Sequence, residues 1–147
     1  MSPAASLSLA RLMHEEGKRA FAYDDATGLQ VHAPKGVLTI GYGINLEKGL
    51  DEDEQRWLLE HRLGLVELRL LEFPWYSRID AARQSVLLDV GYNVGVAGLM
   101  RFVRMLEAFM AQDWPSAAAQ LLDSKAARSA PTRYRTLANI LKRGVGA

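Results

Sequence analysis

A chain of 147 residues with 49% hydrophobic and 24% charged side chains is long enough to bury a core and predicts one soluble globular domain. It contains no cysteine, which excludes disulfides, a thiolate nucleophile and thiolate metal ligands. The net charge of +1 conceals an asymmetry, because residues 47–60 are acidic whereas residues 124–147 carry Lys and Arg and no acid. A basic end suits a polyanionic partner such as a cell envelope or a nucleic acid, or is only a solvated helix face.

The chain opens with a predicted helix. An apolar stripe that ends in a carboxylate recurs at helical spacing: Leu9, Leu12, Met13, Glu16. Ser2-Pro3 or Ser6 suits the start of this helix, with residues 1–5 as a loose tail, and Gly17 suits its C-cap. A carboxylate on an apolar stripe predicts that Glu16 lies partly buried at the edge of a cleft, which would favour its protonated form.

Turn-rich sequence follows the helix, at 24–28 and again at 33–36. Between and after these turns, the apolar and β-branched runs at 29–32 and 37–42 predict strands of a small antiparallel meander.

Three oxygen-bearing groups could meet around this meander. Thr39 points to the opposite strand face from its neighbours Leu38 and Ile40. A helix end with Glu16, a turn with Asp25 and a strand with Thr39 would then supply one pocket.

From residue 51 onward the sequence is helical in pattern. Asp51 and Glu54 have the spacing of a capping box and begin a long helix to Leu71, which Gly64 weakens. A second helix is predicted over 81–92, with Asp80 as N-cap and Val86, Leu87 and Val90 facing inward, and a third, buried helix over 99–110. A short helix is predicted over 114–122, with Asp113 as cap and Pro115 in the first turn. The last helix is predicted to begin at Pro131 and to place on one face Tyr134, Leu137, Ala138 and Leu141. The sequence therefore predicts an α+β, mostly helical fold.

The motif Glu16-Gly17, then Asp25, then Thr-Ile-Gly-x-Gly at 39–43 resembles that of the phage-type lysozymes, the endolysin muramidases. Other segments resemble the same family in the same order: 91–99, Arg101-Phe102, Asp113-Trp114, Asp123-Ser124-Lys125, Pro131-Thr132-Arg133 and Lys142-Arg143-Gly144. The resemblance covers nearly the whole chain.

It implies a single lysozyme-like domain over 1–147 with two lobes. The expected parts are a small β lobe at 15–50, a connecting helix at 51–71, and a helical lobe at 72–147 that includes the N-terminal helix.

The resemblance also implies an activity. Members hydrolyse the β-1,4 bond between N-acetylmuramic acid and N-acetylglucosamine, without a cofactor or metal. Glu16 would be the general acid, and Asp25 and Thr39 would position the attacking water in an inverting mechanism. Four further residues are expected to bind substrate: Tyr92, Asn93, Arg133 and Gly43.

Each of these residues could instead have a purely structural role. Glu16 could be an ordinary surface acid, Asp25 could only form the turn, and Thr39 could only favour the strand. Tyr92 could be a packed aromatic side chain, Asn93 a helix cap, and Arg133 a partner in a salt bridge. Glu15 and Asp24 have the same spacing as Glu16 and Asp25, so the Glu-Gly dipeptide alone sets the register. The three histidines share no metal-ligand spacing. Gly41-x-Gly43 lacks the rest of a nucleotide fingerprint and suits close packing near the cleft.

The chain departs from the family in three places. Asp25 and Thr39 stand 14 residues apart, a longer interval than in the family, so residues 29–35 are expected to form a longer hairpin or flap. Ile44 replaces a common His, and Ala126 replaces a common Trp. The insertion keeps open a catalytically inactive wall-binding or virion structural module, and a lytic transglycosylase is the rival among enzymes.

The expected partners are peptidoglycan glycan strands, together with an anionic envelope surface for the basic C-terminal helix, which could also disrupt membranes by itself. No nucleic acid and no second copy of the chain is expected. The sequence has neither a signal-peptide pattern nor an apolar run of membrane-spanning length. We therefore expect synthesis in the cytoplasm of a host cell and action on the periplasmic wall after release by another agent.

Overall fold

The computed structural model describes residues 1–144, which fold into seven α-helices, two 3₁₀ turns and one two-stranded antiparallel sheet. Of these residues, 65% are helical when the 3₁₀ turns are included. The helices are α1 Pro3–Glu16, α2 Glu52–Leu70, α3 Ala81–Leu99, α4 Val103–Met110, α5 Trp114–Leu122, α6 Lys125–Ser129 and α7 Pro131–Arg143. The strands are β1 Thr39–Ile40 and β2 Ile44–Asn45, and 3₁₀ turns cover Leu46–Lys48 and Tyr76–Arg78. The predicted mostly helical α+β class is confirmed, while the last three residues of the predicted domain lie outside the described residues.

Helix α1 begins earlier than the loose tail predicted for residues 1–5 allows. The Ser2 hydroxyl accepts from the Ala5 N–H at 3.0 Å, and proline follows the cap, where its missing N–H is not needed. Ala4 and Ala5 are buried, so apolar packing holds this first turn against the core. Gly17 ends the helix with a φ of 69°, as its sequence position predicts.

Side-chain caps fix the starts of the later helices. Asp51 and Glu54 form the predicted capping box of α2, which runs unbroken through Gly64. The carboxylates of Asp80 and Asp113 cap α3 and α5 as predicted, by accepting backbone N–H groups of the first turns.

The predicted helix over 99–110 is partly wrong. Helix α3 bends at Gly95, where φ is 76°, and continues to Leu99, and α4 starts only at Val103. Val103 and Met110 are 56% and 54% exposed, so α4 buries one face rather than most of its surface. The break at 100–102 separates the two helices.

The predicted meander is much smaller than expected. The run at 29–32 contributes only an isolated bridge between Tyr23 and Gln30, and the run at 37–42 shortens to β1. The partner β2, which pairs Thr39 with Asn45, was not predicted. Longer strands would need a packed face, whereas the side chains of β1 are exposed.

One hydrophobic cluster joins the helices. Its largest fully buried side chains are Tyr76, Tyr134, Phe109, Leu12, Leu63, Leu70, Leu87, Leu88, Leu99, Met105, Leu121 and Leu137. Helix α1 packs on α2 and α3, and α7 packs on α3 and α5. The predicted inward faces of α3 and α7 are therefore confirmed.

Membrane-spanning length and composition were assessed over the described residues. No single helix there is both long and apolar enough to cross a membrane. Helices α3 and α4 satisfy that test only as a pair, and the pair is bent by 112°.

Candidate active site

Glu16 is the last residue of α1 and is held from across the chain. Arg133, in the first turn of α7, donates from Nη1 to Glu16 Oε1 at 2.8 Å. The Arg133 side chain is 11% exposed and the Glu16 side chain 44%. The Glu16 side chain is therefore more exposed than predicted, because the end of α1 projects beyond the apolar stripe. Its carboxylate pairs with the Arg133 guanidinium instead of being buried.

A buried polar cluster lies behind this ion pair. Asp89 is 2% exposed and accepts hydrogen bonds from the Ser8 hydroxyl and from Arg11 Nε at 2.8 Å. Arg11 Nη2 donates to the Ser85 hydroxyl at 2.7 Å. Burial raises the pKa of Asp89, while the charge of Arg11 and, more weakly, that of Arg133 oppose the shift. The cluster links α1, α3 and α7 electrostatically.

Sequence reasoning missed this cluster. Its only local sign is that Ser8 stands among the apolar residues of α1, and that Ser85 and Asp89 interrupt the apolar run of α3. Such polar residues need partners when they are buried.

A cavity of about 320 Å³ lies beside Glu16. Its walls come from the end of α1, the segment after it, α2, and Tyr92 of α3. Burial raises the pKa of the Tyr92 phenol, and the neighbouring charge of Glu16 adds to the shift. The structure therefore brings Glu16 and Tyr92 to one cavity.

Arg19 and Tyr23 also line this cavity, and sequence analysis did not single them out. The Arg19 guanidinium lies 5.1 Å from the centre of the Tyr23 ring, which is a cation–π distance. A cation and an aromatic face are groups that can contact a polar sugar ring.

Asn93 faces a different space from Tyr92. Its side-chain oxygen accepts from the Tyr134 hydroxyl at 2.9 Å, so α7 positions it. Asn93 lines a larger groove of about 970 Å³, whose walls also include Phe102 and Lys125. Tyr92 therefore lines the 320 Å³ cavity, and Asn93 lines the 970 Å³ groove.

The two aspartates of the first turn differ in what they bind. The Asp24 carboxylate accepts a hydrogen bond from the Ala26 N–H at 2.8 Å. The backbone carbonyl of Asp24 accepts a second one from the Gly28 N–H at 2.7 Å. The Asp25 side chain is exposed and has no hydrogen-bond partner within residues 1–144. Asp24 therefore builds the turn, and Asp25 is the carboxylate left free for a ligand.

Thr39 and Gly43 lie at the β1–β2 hairpin. The Thr39 hydroxyl donates to the Val37 carbonyl at 3.0 Å, and Gly43 adopts a φ of 84° in the turn. Both residues are exposed. Neither they nor Asp25 line the 320 Å³ cavity or the 970 Å³ groove. The structure therefore brings Glu16, Arg133 and Tyr92 together. Asp25 and Thr39, the candidates for positioning the water, lie on the segment after α1 and outside this cavity.

No family model matches this chain, and no curated protein matches it. Among residues 1–144, no group of three or more His, Asp or Glu side chains is placed to hold a metal ion.

Proposed function

We propose that this protein is a muramidase that hydrolyses the β-1,4 bond between N-acetylmuramic acid and N-acetylglucosamine in peptidoglycan. The observation that carries the proposal is the placement of Glu16, at a helix end, beside a cavity and bonded to a nearly buried arginine. The sequence also resembles phage-type lysozymes segment by segment in the same order, and that resemblance assigns the general acid to the same residue, Glu16.

Glu16 would protonate the leaving glycosidic oxygen. Arg133 engages Oε1, and Oε2 has no hydrogen-bond partner within residues 1–144, so Oε2 is the atom able to carry a proton toward the substrate. Arg133 fixes the position of the acid throughout.

Asp25 and Thr39 would orient the attacking water. The Thr39 hydroxyl gives its hydrogen to the Val37 carbonyl, so its oxygen can only accept from a water. A water that donates to Thr39 Oγ1 and to the Asp25 carboxylate directs a lone pair toward the anomeric carbon.

The basic α7 helix would contact the anionic wall through its exposed cations. Its apolar face is already buried, since Tyr134, Leu137, Ala138 and Leu141 pack in the core. Insertion of that face into a membrane would require α7 to leave the fold. The proposed partner of the folded protein is therefore the glycan strand, to which it binds as a monomer.

The decisive experiment is loss of turbidity of purified peptidoglycan with wild type and Glu16→Gln, each checked for folding by circular dichroism. We expect the substitution to lower the rate by about 100-fold or more, because it removes the general acid. Glu15→Gln is the matched control and should remain active, since Glu15 is exposed and precedes the bonded acid. An active Glu16→Gln protein would refute the assignment.

Product chemistry separates this proposal from a lytic transglycosylase. Hydrolysis adds water and leaves a free reducing end, whereas transglycosylation gives an anhydro sugar that is one water lighter. Inversion would release the α-anomer first. Mass spectrometry and early-time proton NMR of the products decide both points.

A wall-binding module is the second candidate, because Asp25 and Thr39 do not line the cavity of Glu16. Such a module would sediment with insoluble peptidoglycan without clearing it. Binding without release of soluble fragments, by a folded wild-type protein, would favour this reading over catalysis.

A further inference from the structure

The 3₁₀ turn after β2 carries a carboxylate that reaches back to the inserted segment. Glu47 is 27% exposed, and its Oε1 accepts from the backbone N–H groups of Ala33 at 3.1 Å and Leu38 at 3.3 Å. These two amides flank the turn at 34–37. One carboxylate oxygen therefore closes the base of that turn.

The backbone around Glu47 is itself fixed to the hairpin. The Asn45 side chain accepts from the Glu47 N–H at 2.9 Å, and Asn45 pairs with Thr39 across the sheet. The Leu46 N–H donates to the Leu38 carbonyl at 2.8 Å. Both backbone polar groups of Leu38 are thus bound, immediately before Thr39.

Ion pairing accounts for little of this arrangement. Among residues 1–144, the only basic side chain within 4.0 Å of the Glu47 carboxylate is His32, whose Nδ1 lies 4.0 Å from Oε1 and whose side chain is 63% exposed. Exposed pairs of this kind contribute little, whereas a carboxylate that accepts from backbone N–H groups forms stronger, charge-assisted bonds. The backbone of residues 33–38 is therefore the principal partner of Glu47.

We propose that Glu47 is a positioning residue, which clamps residues 33–38 and so fixes Thr39 for hydrolysis. The inference rests on the proposed function, because Thr39 matters only if it orients the attacking water. Without the clamp, the lengthened segment before Thr39 would sample many conformations. A displacement of about 1 Å at a reacting group can lower a rate by about 100-fold.

The first test compares Glu47→Ala with Glu47→Gln on soluble peptidoglycan fragments. We expect Glu47→Ala to lower kcat by about tenfold and to change KM by less than about twofold, because positioning acts on the transition state. Glu47→Gln keeps an acceptor oxygen and should restore most of kcat. Glu107→Ala, at an exposed position of α4, is the control and should match wild type. A lower Tm with unchanged kcat would show a merely structural role and overturn the proposal.

A double-mutant cycle covers the case in which Glu47→Ala disturbs the whole segment over 17–50. If Glu47 acts through Thr39, then Glu47→Ala should cost little once Thr39→Ala has been introduced. Fully additive losses would overturn the proposal.

Amide hydrogen exchange tests the clamp without using activity. The Ala33 and Leu38 amides should exchange slowly in wild type and in Glu47→Gln, and faster in Glu47→Ala. Equal exchange in wild type and Glu47→Ala overturns the clamp even in an active enzyme. A wild-type protein that is inert on peptidoglycan overturns the proposed function and the catalytic role of Glu47, while exchange still shows whether the clamp exists.

Discussion

The segment over 17–50 and the helices around it are built in different ways. The structure describes every residue of that segment, and none of them is fully buried. Leu29 is 68% exposed, whereas Leu87 and Val90 in α3 are completely buried. The segment is shaped by polar contacts to its own backbone, and the helices are held together by one apolar cluster.

This difference separates the parts of the molecule that set stability from those that set activity. Regions with few buried apolar contacts open locally at a lower free energy than the core does. Substitutions in the segment over 17–50 should therefore change activity while the free energy of unfolding stays nearly constant. Substitutions of the fully buried apolar side chains of the core helices should do the reverse.

The largest expected effect lies in the exposed segment. Asp25→Asn should lower peptidoglycan hydrolysis by about 100-fold or more, because the amide cannot activate a water as the carboxylate does. The Tm should remain unchanged, since Asp25 makes no hydrogen bond within residues 1–144. Asp24→Asn is the charge-matched control, because its side-chain oxygen can still accept from the Ala26 N–H. An inactive Asp24→Asn beside an active Asp25→Asn would shift the register by one residue.

The second effect lies behind the ion pair, in the core. Asp89→Ala should lower the free energy of unfolding by about 3–5 kcal/mol, because it leaves Arg11 without its buried partner. Urea unfolding followed by circular dichroism measures the change. A loss below about 1 kcal/mol would mean that water replaces the carboxylate and that the cluster is not a structural centre.

The same carboxyl has a defined pH dependence. Burial raises the pKa of Asp89 in the folded state above its ordinary value of 3.8. The folded protein therefore holds this proton over a pH range where the unfolded chain has lost it. The stabilising contribution is complete below that ordinary value and is lost as the pH rises through the folded pKa. The stability of wild type relative to Asp89→Asn should fall over that window, and a rise would contradict the shift.

Alanine substitutions at two helical glycines, Gly91 and Gly64, should change the stability by smaller amounts and in opposite directions. A Cβ on Gly91 would lie 2.6 Å from Val66 Cγ1, so Gly91→Ala should cost about 1–3 kcal/mol through overpacking. A Cβ on Gly64 would have no neighbour within 4 Å. Gly64→Ala should instead stabilise by about 1 kcal/mol through helix propensity. Thermal unfolding of both variants measures the contrast, and equal shifts would contradict the packing at Gly91.

The features that could be predicted from the sequence are those fixed by nearby residues. The caps at Asp51, Asp80 and Asp113 are local chemistry, and each is present in the structure. Helix α6 was missed because its five residues are too short to show a period, although Ser124 caps it through the Ala127 N–H. The two-residue strands were mispredicted for the same reason of length.

Contacts distant in sequence could not be predicted from local pattern. The resemblance supplied both Glu16 and Arg133 as candidates, but their bond joins residues 117 positions apart. It depends on how α1 and α7 pack against α3. The Ser8–Asp89 bond spans 81 positions and has the same origin. The sequence marks Glu47 only as the first residue of the acidic stretch at 47–60, because its partners are backbone groups with no sequence signature.

The smallest expected effect compares two buried tyrosines of the core. The Tyr76 hydroxyl is buried and lacks a hydrogen-bond partner among residues 1–144, whereas the Tyr134 hydroxyl donates to Asn93. Tyr76→Phe should therefore leave the free energy of unfolding unchanged or raise it by about 1 kcal/mol, because an unsatisfied polar group is removed. Tyr134→Phe should lower it by about 1 kcal/mol and free the Asn93 side chain. If Tyr76→Phe destabilises as much as Tyr134→Phe, a bound water satisfies that hydroxyl, and the core is more polar than its side chains indicate.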